Sequence, residues 1–250
     1  TYIGLLQSFV HLSMVFILVG RLLMQGLSSV RVFTMGWFMR YVFASLLLFI
    51  PWLVDRTGNP ALATAAILVA AAGFHIFRGI GVAGQVPIIA GLSTGTDRGR
   101  FLSVNSILAN SIALAGGLAI ALLLGADAPL SRFVATFAVA IACGFASVLF
   151  VRQLPEPVSA PDPSFAAFLR DVRAVGSQPR VVRLLVYVAG FGLGTSALMA
   201  FLVVIAKRVF LLPDNFSVFL VAVGNLGAVV TGVVNRRLVD VVGGKPLIVL

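Results

Sequence analysis

The chain has 250 residues, 60% of them hydrophobic and only 10% charged, with a net charge of +10. A water-soluble domain carries about 25% charged residues, so this composition excludes an ordinary soluble fold. The positive residues cluster in loops between apolar runs, with no basic, aromatic-interleaved patch in a polar segment; this excludes nucleic acid as a partner and points to a lipid bilayer.

Seven apolar runs follow in order: Tyr2 to Gln25, Val32 to Val54, Ala61 to Ala90, Phe101 to Gly125, Leu130 to Val151, Leu184 to Ala206 and Phe216 to Val234. Nearly all approach or exceed the roughly 20 residues that a helix needs to cross a bilayer. They are continuous rather than alternating and too long for barrel strands, so helices are expected. An eighth run starts at Pro246. The first residues are already apolar and show no charged leader or cleavage site, so no signal peptide is expected. The chain reads as a piece of a longer protein, incomplete at both ends. Cys143 is the only cysteine and lies inside an apolar run, so it is expected to pack rather than react.

Loop charge sets the orientation. Thirteen positive residues fall on one side, counting Arg40 near the inner end of its run, and four fall on the other: Arg56, Arg132, Lys207 and Arg208. That asymmetry places the loops after runs one, three, five and seven in the cytoplasm. The loop from Arg152 to Arg183 is the longest. Pro155, Pro157, Pro161 and Pro163 hold its first half extended. Phe165, Phe168, Leu169 and Val172 then recur at helical spacing beside Arg170 and Arg173, predicting an amphipathic helix on the inner membrane face. The expected organisation is a half-bundle over 1–152, a connecting loop over 153–183 and a partial second half-bundle over 184–250. The fold class is an all-α polytopic transmembrane bundle of two pseudo-repeated halves.

Arg78 lies deep inside the third run, about five turns from Ala61. An intramembrane arginine is costly unless a cavity or partner receives it. His75 and Gln85 share its helical face. The three suggest the wall of a solute cavity, with Arg78 facing an anionic group; the alternative is a structural arginine that caps carbonyls or snorkels. His75 can shuttle a proton, which leaves coupling to a proton or another ion open, although a packing histidine fits equally well. Gln7 and His11, Ser106 and Asn110, and Asn225 add uncharged polar groups on other helices. Each could line a pathway or bond a neighbouring helix. Gly81 and Gly84 are expected to admit a close helix neighbour. Gly190, Gly192 and Gly194 suggest a helix that bends or packs tightly. No Asp or Glu lies in the middle of a run, which favours an anionic or zwitterionic cargo.

Three motifs resemble the major facilitator superfamily. Arg78-Gly-Ile-Gly81-Val-Ala-Gly84 is similar to the family's Arg-plus-glycine motif, Asp97-Arg98-Gly99-Arg100 to its charged cytoplasmic turn, and Asp240-Val-Val-Gly243-Gly-Lys245 to its gating loop. All three agree on one register, in which the chain covers the family's second to eighth helices and the start of the ninth. The resemblance implies a secondary transporter that moves a small solute by alternating access in a bacterial-type cytoplasmic membrane. It also implies an inner gate built from Asp97, Arg98, Arg100, Asp240 and Lys245. The chain departs from the pattern at Val241, where a basic residue is usual, and the run from Phe101 has Gly116-Gly117 without the antiporter proline. A non-transporting sensor or scaffold on the same fold is a second reading. An integral-membrane enzyme is a third, but the sequence shows no catalytic set, metal cluster or cofactor motif, so no enzyme, metal or cofactor is expected.

Overall fold

A computed structural model describes residues 6, 9–10, 12–93, 98–125, 128–157 and 165–242. Among these every regular element is a helix. After a short 3₁₀ turn at Ser13–Phe16 come α1 (Ile17–Leu23), α2 (Ser29–Ser45), α3 (Ile50–Thr57), α4 (Pro60–Leu92) and α5 (Arg98–Leu124). There follow α6 (Leu130–Val151), α7 (Phe165–Gly176), α8 (Pro179–Arg208) and α9 (Asp214–Val242). Among the described residues, four helical stretches are long and apolar enough to cross a membrane: Ser29–Thr57, Pro60–Leu92, Gly99–Leu124 and Leu130–Val151.

The apolar run at Val32 to Val54 forms helix on both sides of a local tightening. Pro51 has no N–H to give the Leu47 carbonyl. Ile50 donates to that carbonyl instead, and residues Leu46–Phe49 wind as a 3₁₀ turn between α2 and α3. The turn into α4 is built from standard end signals. Gly58 closes α3 with φ of 59°, and its N–H donates to Val54 at 2.8 Å. Asn59 Oδ1 accepts from the Ala61 N–H at 2.9 Å, and Pro60 takes the first helical position, where a missing N–H costs nothing.

Contacts gather into two bodies, one of residues 1–89 and 137–203, the other of 90–136 and 204–250. In the first, α4 is central. Its buried residues include Gly73, Gly79, Ile80, Gly81, Ala83, Gly84 and Ile88. Met24, Val32, Ile80 and Ala83 form one apolar cluster, and Val30, Phe33 and Ile88 a second. Glycines set the approach of α2 to α4. A Cβ at Gly36 would stand 2.5 Å from Gly81 Cα and 2.7 Å from the Phe77 carbonyl oxygen. One at Gly84 would strike the Ser29 carbonyl and Phe33, and one at Gly81 would come within 3.2 Å of the Trp37 ring. Small residues at such crossings give helices in lipid their dispersion contact. In the second body, α5 and α9 run against each other. Gly117 meets Ala222 and Gly232 meets Ile107 there.

The outer surface is apolar. Leu122 is 84% exposed, Ile112 71% and Phe150 71%. Exposed apolar area on this scale needs hydrocarbon as its solvent. The helix expected in the long loop forms at Phe165–Gly176. Phe168 lies under the Arg21 guanidinium, 5.7 Å from the ring centroid, while Leu169 and Val172 stay exposed beside Arg170 and Arg173. Around Gly190, Gly192 and Gly194 a Cβ would meet no atom of the described residues within 4 Å.

Candidate functional site

The site of interest lies in the first body, where α2 meets α4. Trp37, Arg40 and Tyr41 occupy positions i, i+3 and i+4 of α2 and therefore one face. Phe74, His75 and Arg78 occupy the facing turns of α4. The Arg40 guanidinium carbon lies 4.2 Å from the Phe74 centroid, 4.4 Å from Trp37 and 4.9 Å from Tyr41. Three aromatic faces thus enclose one cation. Phe145 of α6 supports the cage at 5.9 Å from Tyr41, and Gly144 lets the Tyr41 ring lie against α6.

The cage changes the reading of Arg40. Counted from sequence with the cytoplasmic loops, it is held in mid-helix by its rings. The loop asymmetry stands without it. A cation–π contact contributes about 0.5–2 kcal/mol, and insertion of an arginine at the centre of a membrane helix costs about 2.5–3.5 kcal/mol. Three rings therefore offset most or all of that cost for Arg40. Arg78 has no such compensation. It is partly buried, and among the described residues no hydrogen bond, ion pair or ring contact holds it. It does act electrostatically on both Arg40 and His75, which places three basic side chains close together. In this body the carboxylates with described side chains, Asp55 and Glu156, are exposed at helix ends.

His75 also faces a cavity of about 480 Å³ bounded by α2, α4 and α6, with Tyr41, Phe74, Ala70, Phe137 and Ile141 in its wall. Its Nδ1 is buried and, like Arg40 Nε, has no hydrogen-bond partner among the described residues. Buried polar atoms are nearly always paired in proteins, so orphans concentrate where a further polar group belongs. The cavity is otherwise apolar and suits an amphiphile's body better than a fully hydrated ion.

Gln85 lies on α4 two turns beyond Arg78, partly buried. Asn110 and Asn225 belong to the second body. Asn110 donates to the Ser106 carbonyl at 2.8 Å and Asn225 to the Val221 carbonyl at 3.3 Å, so each bonds its own helix. Arg100 is exposed on the first turn of α5, where a cation opposes the helix dipole and gains from a neighbouring carboxylate. Gln7, His11, Asp97 and Lys245 lie outside the described residues, and Arg98 and Asp240 are described in backbone only. Among the described residues there is no His, Cys, Asp or Glu cluster fit to hold a metal.

Sequence reading misses the aromatic cage, although part of its signature is present. Trp37-x-x-Arg40-Tyr41 puts two rings beside a buried cation at helical spacing. The third ring, Phe74, needs the α2–α4 register that the glycines impose.

Fold and site together define an integral membrane protein of apolar helices with a compact basic cluster inside them. No protein-family model, curated protein or solved structure matches this chain. The likeness to the major facilitator superfamily therefore rests on the three motifs alone.

Proposed function

We propose that the protein is a multi-pass secondary transporter of a small anionic or zwitterionic solute, working by alternating access between two pseudo-repeated half-bundles, 1–152 and 184–250, joined by the 153–183 loop. The observation that carries this is Arg78, a cation in a membrane helix with no counter-charge among the described side chains, beside a second arginine and a histidine. An anionic cargo supplies the missing charge, and its arrival at Arg78 is what a carrier couples to movement. The neighbouring apolar cavity suits a cargo with a hydrocarbon or aromatic body. His75 is placed to exchange a proton with that cargo or with the cavity. The motif resemblance supplies the inner gate of Asp97, Arg98, Arg100, Asp240 and Lys245, and the bacterial-type cytoplasmic membrane. No covalent chemistry is required of the site.

The test is uptake by proteoliposomes of a panel of small carboxylates, phosphonates, amino acids and organic cations of matched size. Saturable uptake of one or more anionic or zwitterionic members, with cations excluded, supports the proposal. Binding without translocation supports the sensor reading. Uptake confined to cations contradicts the assignment of the cluster to cargo.

A further inference from the structure

A second cavity, more polar than the first, lies in the first body and contains none of Arg40, His75 or Arg78 in its wall. It measures about 560 Å³ and opens between the start of α2 and the end of α6. Arg31 and Arg152 line it, both exposed, together with Thr34 and Glu156. Val30, Phe38 and Val148 add apolar wall, and Phe38 is 46% exposed. Both arginines belong to the loops that the charge asymmetry assigns to the cytoplasm, and the fold brings those loops together.

The charges there are not balanced. Glu156 is already engaged, since its Oε2 accepts the Val30 N–H at 3.4 Å, in the first turn of α2, beside the Ser28 side chain that accepts from Arg31 N–H. A carboxylate at that position offsets the positive end of the helix. Arg31 sits in the same first turn, where a cation opposes the dipole. No ion pair joins Arg31, Arg152 and Glu156 among the described residues. The Thr34 hydroxyl oxygen is buried and has no hydrogen-bond partner there. Two guanidinium groups, one unpaired hydroxyl and the Glu156 carboxylate therefore share a cavity whose remaining wall is apolar, and the cations outnumber the carboxylate by two to one.

We propose that this cavity binds a phosphate group, presented by the head group of an anionic phospholipid. Guanidinium matches phosphate oxygens through paired N–H donors. The hydroxyl gives one further donor. The exposed Phe38 and the apolar ends of α2 and α6 provide a path for the acyl chains into the bilayer. Basic pockets between helix ends on the cytoplasmic face are a recurrent way of holding such lipids. The lipid would clamp α2 to α6, the two helices that carry and support the Arg40 cage. Lipid binding here does not require that the protein be a transporter.

The experiment uses the full chain purified in an uncharged detergent. It is titrated with short-chain phosphatidylglycerol, with phosphatidylcholine of the same chain length, and with inorganic phosphate, and bound ligand is counted by native mass spectrometry. Wild type is expected to bind phosphatidylglycerol in preference to phosphatidylcholine. The double variant Arg31→Ala, Arg152→Ala is expected to bind it roughly 30-fold more weakly, from about fivefold per arginine near a membrane surface. Thr34→Val should weaken it several-fold, and Arg56→Ala with Arg132→Ala should leave it unchanged. Because Arg31 and Arg152 are exposed, the lipid-free variant is expected to unfold at the wild-type temperature. If it does not, Arg31→Lys with Arg152→Lys, which keeps charge but loses the paired donors, should show intermediate affinity. Inorganic phosphate binding as tightly as the lipid would support the phosphate site and assign it to a soluble anion. Undiminished phosphatidylglycerol binding by the alanine pair, or equal loss in the Arg56 and Arg132 control, overturns the proposal.

Discussion

Arg78→Ala is expected to cut solute uptake about 100-fold or more while the protein still inserts and unfolds at the same temperature as wild type, or higher. The first half follows from truncating one partner of a desolvated charge pair, which costs about 2–5 kcal/mol. The second half separates a cargo-binding arginine from a structural one. Arg78 lies beside Arg40 and His75, so its removal relieves like-charge repulsion and the cost of holding a cation in the membrane. A structural arginine capping carbonyls would show the reverse: a lower unfolding temperature and uptake reduced only in proportion to folded protein. Arg78→Lys keeps the charge without the planar fork and should retain part of the uptake. Transport and thermal unfolding measured on the same preparations decide between the two.

Gly36→Leu is expected to lower the unfolding temperature in detergent by about 6–12 °C. The leucine Cβ would meet Gly81 Cα at 2.5 Å and the Phe77 carbonyl oxygen at 2.7 Å, contacts with backbone that no rotamer change can relieve. Overpacking a well-filled contact costs about 1–3 kcal/mol and more when helices must part. About 3 kcal/mol corresponds to that shift for a chain of this size. Parting α2 from α4 also pulls Phe74 away from Arg40, so the cage opens and uptake falls with stability. Gly116→Leu is the control. A Cβ there meets nothing within 4 Å, and the same side chain should leave the unfolding temperature unchanged. Leucine is the better helix former, so propensity does not lower the temperature in either variant, and an equal drop in both would mean that the α2–α4 crossing was not being measured.

Much of the helical layout is legible in the sequence because apolar run length is a direct consequence of bilayer thickness. The expected runs from Ala61, Phe101 and Leu130 correspond to α4, α5 and α6 within a few residues. The run from Val32 hides its 3₁₀ segment, although Pro51 announces it, because hydropathy carries no hydrogen-bond information. The amphipathic helix is legible from four apolar residues at helical spacing. The site is legible only in part. Arg78 and His75 stand out by being polar where polarity is costly. Arg40 groups with the loops by sequence because its compensation comes from rings on two helices, and composition does not say which faces meet. The Arg31–Arg152 cavity is hidden for the same reason: its two arginines stand 121 positions apart, and each alone looks like an ordinary loop cation. Asn110 and Asn225 each bond a carbonyl one turn back in their own helix, a contact that their positions in the sequence do not reveal.

Transport through this site requires water beside Arg78. The most direct test is thiol labelling of Arg78→Cys in a Cys143→Ser background, in sealed vesicles, with a membrane-impermeant reagent applied from each side. Only a hydrated thiol ionises enough to react. The expected result is labelling from at least one side. No labelling from either side, in a protein that labels fully once unfolded, would show position 78 enclosed in lipid or packing and would contradict the carrier.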